Sequence, residues 1–372
     1  MKAILVNKDR SLRWDNVPDP VINNDEVLVR IEAAALNRAD LMQREGDYPP
    51  PAGCPEWMGL EIAGEIVGVG DEVKSKSKWK IGDKVCALLG GGGYAEYVAV
   101  KYDMLMPVPR NCSMVEAAAI PEAFATAYLN LFIEGGIKEG DTLLMNAGAS
   151  GLASVTIPMA KAFGIRVITT VSTEEKADRI KHLNADRVVV TAKEDISEVL
   201  REELEAGRGV DVAIDCRGGE IMGKCIHYLN HGARWIMIAA LEGTKTEIDL
   251  KNVYVRNVRI IGSTLRSRAP EVKARILAGI VRDVYPKIES GEVKPTIYKV
   301  LPITEAEAAQ DILYRGDVHD LEDLPEKHIT SHSEPENGVD VAHANEDEPM
   351  DLPTDEPERT EFRPRRRIRM NN

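Results

Sequence analysis

The sequence predicts an α/β chain in two parts: a β-rich barrel or sandwich-like unit, then a parallel sheet flanked by helices, ending in a disordered acidic tail. Three observations predict it. Short apolar or alternating runs set off by Gly and Pro fill the first 120 residues. Strand-length and helix-length patterns alternate from residue 142, and apolar periodicity fades from about residue 326.

In the first part the strand patterns are 1–6, 26–36, 61–69, 84–89 and 94–100. Pro49-Pro50-Pro51, Gly70-Asp71, Gly82-Asp83 and Gly90 to Gly93 punctuate them, and residues 81–85 read as a tight turn entering a strand. Residues 115–134 have helical composition, with a boundary at Pro121. The alternating series then gives strands at 142–146, 166–171, 187–190, 210–215, 233–239 and 258–263. Its helices are 152–163, 174–183, 197–205 and 223–229. A helix over 270–290 and a strand over 296–302 follow. From 326 onward, repeated Pro and runs such as Glu346-Asp347-Glu348 leave too little apolar surface to offset the entropy of ordering.

A chain of 372 residues suggests about two domains, and 44% apolar residues suffice for a sizeable core. The net charge of −14 is uneven: residues 317–372 hold 16 acids and 7 bases, the remainder 45 and 40. No broad basic surface is implied, which argues against nucleic acid as the main partner. No run approaches the ~18 apolar residues of a membrane span. The first strand meets Asn7-Lys8-Asp9-Arg10 too soon for a secretory signal. Five widely spaced cysteines without a CxxC pair predict reduced thiols and a cytoplasmic setting. The arginines at 363, 365–367 and 369 form either a targeting or anion-binding patch or, more ordinarily, a solvated terminus.

Residues 142–154, TLLMNAGASGLAS, run from an apolar strand through a Gly-rich turn into a helix. Gly148 and Gly151 allow a sharp turn and close approach of a ligand, Ser150 lies between them, and the helix dipole suits a pyrophosphate. Ala153 replaces the third glycine of the dinucleotide fingerprint and is small enough for helix–strand packing. A purely structural turn is the bland alternative; the place at the first βα turn favours a dinucleotide. NAD binders carry an acid about 20 residues on. Here the strand tip offers Ser172 and, beyond it, Lys176, which suit a 2′-phosphate and favour NADPH; Lys176 is otherwise a solvated helix residue. Glu174 and Glu175 have an ordinary first-turn explanation.

Residues 35–43 (ALNRADLMQ), 59–64 (GLEIAG), 118–128 (AAIPEAFATAY), 147–151 (AGASG) and 264–268 (TLRSR) carry a family likeness over residues 1 to about 315. With these motifs the chain resembles the zinc-free quinone oxidoreductases of the medium-chain dehydrogenase/reductase superfamily, most of all the p53-inducible type, with zeta-crystallin further off. The resemblance implies a GroES-like catalytic domain (1–121), a doubly wound Rossmann domain binding NADPH (122–266) and a return segment completing the first domain (267–325), before the tail (326–372). It places Asn37, Tyr48 and Thr126 at the nicotinamide and quinone pocket, and Gly148, Ser150 and Gly151 at the pyrophosphate. Ser172 and Lys176 fall at the 2′-phosphate, with Ala239 to Gly243, Leu265 and Arg266 at the nicotinamide end. Tyr48 is otherwise a turn residue, and Asn37 a helix cap. Thr191 stands where relatives often have a Tyr, weakening or moving the phosphate grip. Residues 317–324 depart from the usual last strand, leaving closure of the first domain in question. The resemblance also implies a homodimer joined at Rossmann sheet edges, through 233–239.

Zinc relatives have a His where this chain has Leu60 and a Cys where it has Asn37. With no His before residue 182, the three ligands of a catalytic zinc are missing and no metal is expected. His227 and His231, four apart, read as ordinary histidines. Glu61 reads as pairing with a charge inside the fold rather than as a general base. The expected chemistry is hydride transfer from NADPH to a quinone, with charge on the quinone oxygen met by Tyr48, Asn37 or water. Reduction of an enone, enal or enoyl thioester is the alternative on the same fold. A non-catalytic NADPH sensor that recruits a partner through its tail is the third.

Overall fold

The computed structural model describes residues 1–315, which lie within one compact unit. The tail and residues 317–324 lie outside the described residues.

The chain opens with an antiparallel pair, β1 (Lys2–Val6) and β2 (Leu12–Asn16). Then β3 (Glu26–Ala34), β4 (Glu61–Val69), β5 (Lys84–Leu88), β6 (Tyr97–Lys101) and β7 (Leu105–Pro107) form an antiparallel sheet in the order β6-β3-β4-β5-β7. Alternation along β3 and β6 sends Val27, Val29, Val98 and Val100 into the core. Gly82, at φ +91°, makes the turn that enters β5. Helix α1 (Arg38–Glu45) interrupts the sheet between β3 and β4, and α2 (Asp71–Lys76) follows β4.

Helices α3 (Met114–Ala118) and α4 (Pro121–Tyr128) divide at Pro121, which occupies the first helical position of α4. A π-turn over Leu129–Glu134 continues α4. The second sheet is wholly parallel: β8 (Thr142–Met145), β9 (Arg166–Val171), β10 (Arg187–Val190), β11 (Val210–Asp215), β12 (Leu229–Met237) and β13 (Arg259–Gly262), in the order β10-β9-β8-β11-β12-β13. The strand order reverses between β8 and β11, so ligands belong beyond the carboxyl ends of those strands. Helices α5 (Gly151–Ala162), α6 (Glu174–Arg179), α7 (Ile196–Glu205), α8 (Ile221–Cys225) and α9 (Leu250–Val255) connect the strands.

The chain then returns to the first sheet. Helix α10 (Pro270–Gly279) packs on α4, where Gly279 leaves room for the Tyr128 ring; a Cβ there would lie 2.6 Å from the phenol oxygen. A second π-turn leads into α11 (Tyr285–Glu289), whose Tyr285 hydroxyl donates to the Pro107 carbonyl at 2.7 Å. In α12 (Ala306–Arg315), Glu307 pairs with Arg44 of α1.

Two expectations need correction. Residues 296–302 join no ladder among the described residues; Pro295 precedes them and Pro302 ends them, neither with an N–H to donate, and the segment is largely exposed. Residues 233–239 are not a sheet edge: β12 is paired on both sides, and among the described residues the edge strands are β10 and β13. All five cysteines are free thiols. No helix among the described residues is long and apolar enough to cross a membrane.

Candidate active site

The glycine turn leaves β8 through Ala147, which adopts φ +58°. Gly148 is demanded by packing: its N–H donates to the Thr170 carbonyl at 2.8 Å, and a Cβ would lie 2.4 Å from Thr169 Oγ1. Gly151 differs, because a Cβ there would meet nothing within 4 Å. Ser150 caps α5, its hydroxyl accepting the Ala153 N–H at 3.2 Å, and buried Ala153 packs the helix onto the sheet. The Gly151 and Leu152 amides have no acceptor among the described residues. A twelve-residue helix therefore presents its positive end to open space, a cradle that fits a pyrophosphate.

At the tip of β9, Lys176 Nζ donates to Ser172 Oγ at 3.1 Å. The two acids beside them are engaged elsewhere: Glu174 with Lys193 and Glu175 with Arg179. A groove of about 920 Å³ opens alongside, bordered by Thr191, Lys193, Arg217, Gly218, Glu242 and Gly243. The segment after Ala239 folds onto the loop after β11, with the Glu242 N–H donating to the Arg217 carbonyl at 2.7 Å and the Gly219 N–H to Gly243 at 2.8 Å.

The other predicted residues gather where the sheets meet. Asn37 begins α1, and its N–H donates to Asp40 Oδ2 at 2.8 Å. Its side-chain amide is turned to β4 and donates to Glu61 Oε1 at 2.9 Å. Asn37 thus both starts the helix and carries a polar group toward the site. Tyr48, half-buried, lies under the Arg266 guanidinium, 4.5 Å from its ring centre. Arg266, buried in the segment after β13, donates to the carbonyls of Tyr48 and Gly90 and to Gln43 Oε1. Its donors tie the second sheet's edge to the loops of the first. Leu265 packs in the main core. Thr126, half-buried, stands on α4, its carbonyl accepting the Asn130 amide at 2.8 Å.

Three carboxyl groups that the sequence did not single out as a set surround this point. Asp40, fully buried, accepts from the N–H groups of Asn37 and Gly59 and from the Tyr94 hydroxyl; burial pushes it up to about 6. Glu61 accepts from Asn37 and, at 2.8 Å, from the Glu122 N–H; burial pushes it up to about 8, Glu122 and Asp40 adding like charge. Among the described residues Glu61 therefore pairs with no cation, contrary to the sequence reading: both its donors are neutral, and the charges it feels are negative. Burial and Asp40 push Glu122 up to about 7, against Lys273 and Arg266. Burial, then Glu122, raises Tyr48 as well, opposed by Arg266. The signal in the sequence was three acids inside the motifs at 35–43, 59–64 and 118–128, whose convergence only the fold reveals.

His227 stacks on Tyr228 and His231 lies in β12, bonded to the Asn257 amide, so the two do not share a helix face. Among the described residues no three His, Cys, Asp or Glu side chains converge to hold an ion.

Comparison with known proteins gives this arrangement its relatives. Residues 23–110 match the alcohol dehydrogenase GroES-like domain, and residues 151–278 the family described as zinc-binding dehydrogenase. A crystal structure of an NAD-dependent alcohol dehydrogenase shares 30% identity and superposes with a TM-score of 0.71, covering 85% of this chain and 96% of that one. The chain belongs to the medium-chain dehydrogenase/reductase superfamily. Within that superfamily it is 28% identical over 299 residues to the quinone oxidoreductase of Mus musculus, across 80% of this chain and 88% of the relative. It is 27% identical over 326 residues to the acryloyl-coenzyme A reductase of Sulfurisphaera tokodaii, across 80% and 91%. As a superfamily member it is an oxidoreductase with a GroES-like part and a Rossmann sheet.

Proposed function

We propose that this oxidoreductase reduces quinones with NADPH and without a metal. What supports the proposal is the open glycine turn together with Leu60 and Asn37, which the family resemblance sets at the positions where zinc relatives hold their ion. A quinone needs no Lewis acid, being electron-poor already. When bound, reduced nicotinamide supplies hydride from its C4. Gly151, Ser150 and the α5 N-terminus bind the pyrophosphate, with Gly148 shaping the turn; Ser172 and Lys176 hold the 2′-phosphate. Thr126, Ala239 and the Leu265–Arg266 segment border the nicotinamide. Arg266 acts by fixing Tyr48, its guanidinium already engaged by protein acceptors. Asn37 and Tyr48 meet the charge that grows on the acceptor oxygen.

The domain bounds at 121, 266 and 325 belong to this proposal, as do a cytoplasmic location and a homodimer. The dimer joins at β13, one of the two edge strands among the described residues, on which Ile260 is exposed.

The test is NADPH oxidation by the purified protein against 1,2-naphthoquinone and against a panel of enones, enals and enoyl thioesters, side by side. Preferential quinone turnover supports the proposal; no quinone turnover by folded protein overturns it. The likeness to an acryloyl-coenzyme A reductase favours the enoyl thioester as the second reading.

A further inference from the structure

Hydride transfer alone leaves an anion. A quinone that takes a hydride becomes a hydroquinone anion and an enone becomes an enolate, so each turnover needs one proton. A side chain that keeps its proton near neutral pH, and is free to give it up, meets that need best.

The three carboxyl groups differ in this respect. Asp40 is held by three donors and Glu61 by two. The Glu122 carboxylate makes no hydrogen bond or ion pair among the described residues; only its backbone N–H is used, by Glu61. Glu122 is the second residue of α4, a helix that packs on β4 and β5 of the first sheet and on α5 of the second. Thr126 follows one turn later on the same face. Five groups bear on Glu122 electrostatically: Asp40 from α1, Glu61 from β4, Tyr48 after α1, Arg266 after β13 and Lys273 from α10. Lys273 is tied to the Arg266 carbonyl at 2.7 Å and makes no ion pair with Glu122 among the described residues.

We infer that Glu122 is the general acid of this site, the residue that completes each hydride transfer with a proton. The inference rests on the reductase reading. The C4–H bond of the reduced nicotinamide breaks and its electron pair passes with hydrogen to the acceptor. The acceptor anion then takes the Glu122 proton, and the carboxylate left behind recovers a proton from water. The sum is reduced dinucleotide, quinone and one proton giving oxidised dinucleotide and hydroquinone. Asp40 and Glu61 are positioning residues: the Asp40 charge helps keep Glu122 in its acid form, and Glu61 holds Asn37 and the α4 N-terminus in place.

The experiment uses the full chain and the variants Glu122→Gln and Glu122→Asp. Wild-type kcat with 1,2-naphthoquinone is expected to fall as pH rises through about 7. Glu122→Gln is expected to lower kcat by on the order of 10²-fold and to lose that alkaline limb, with NADPH affinity unchanged. Glu122→Asp restores the limb with part of the rate. Infrared difference spectra of the protein without acceptor supply a second readout: a protonated-carboxyl band that disappears near pH 7 in wild type and is missing from Glu122→Gln. Undiminished turnover and an intact alkaline limb in Glu122→Gln overturn the general-acid role alone. A wild type that shows the band yet reduces neither quinones nor enones overturns the reductase reading, and this role with it.

Discussion

Replacing Glu61 by Gln removes a charge that the fold is poorly built to hold, and the effect changes with pH in a way that ordinary packing damage does not. The wild-type carboxyl is moved from 4.5 to about 8 by burial. A raised acid keeps its proton in the folded state over a range where the unfolded chain has lost it. Stability contributed by the neutral form is therefore complete below 4.5 and lost as pH rises toward 8, by about 1.4 kcal/mol per pH unit. Gln cannot ionise, but it offers one acceptor where Glu61 offers two, to the Asn37 amide and the Glu122 N–H. The missing hydrogen bond costs about 1–2 kcal/mol at every pH. Between pH 6 and pH 9 the variant's stability should thus move by about 3 kcal/mol in its favour relative to wild type, whose stability falls until the folded carboxyl ionises near pH 8. Urea unfolding of both proteins at the two pH values measures this. A difference between variant and wild type that is the same at pH 6 and pH 9 would refute a neutral, desolvated Glu61.

Four further outcomes follow from the same geometry. Lys176→Ala should weaken NADPH about 5–10-fold, the worth of one exposed charge-assisted contact, and leave NADH unchanged in fluorescence titrations. Gly151→Ala should keep its stability to within about 1 kcal/mol yet lose more than about 10-fold in dinucleotide affinity, because its methyl enters space that only a ligand would fill. Gly148→Ala should instead lose about 1–3 kcal/mol of stability against Thr169, as thermal unfolding will show. Ile260→Lys should halve the mass measured by light scattering if two β13 edges join; an unchanged mass would place any dimer contact elsewhere.

Much of the fold was legible because its elements have a clear period. Residues 61–69, 166–171, 187–190 and 210–215 form strands with the bounds their patterns predicted, and Pro121 divides two helices. The failures have physical causes. Residues 296–302 carry strand composition but follow Pro295 and end on Pro302, and they join no ladder among the described residues. Residues 233–239 look like any apolar strand; whether a strand is interior or edge is decided by the neighbour that comes later, here β13. The two π-turns, at Leu129–Glu134 and Ile280–Val284, leave no trace in apolar spacing. In the site, the glycine turn was visible as a motif, but the different duties of Gly148 and Gly151 were not, since they depend on Thr169 and on empty space. Arg266 was noticed for its motif and found as a clamp. Glu61 was read as an ion-pair partner, and its true surroundings, Asn37, Glu122 and Asp40, come from three separate elements.

We have proposed that this chain passes hydride from NADPH to a quinone with no help from a metal. Turnover of NADPH with 1,2-naphthoquinone by protein dialysed against a strong chelator tests it most directly. The expected result is undiminished oxidation of one NADPH per quinone reduced to hydroquinone. Activity that vanishes with the chelator and returns with zinc would contradict it.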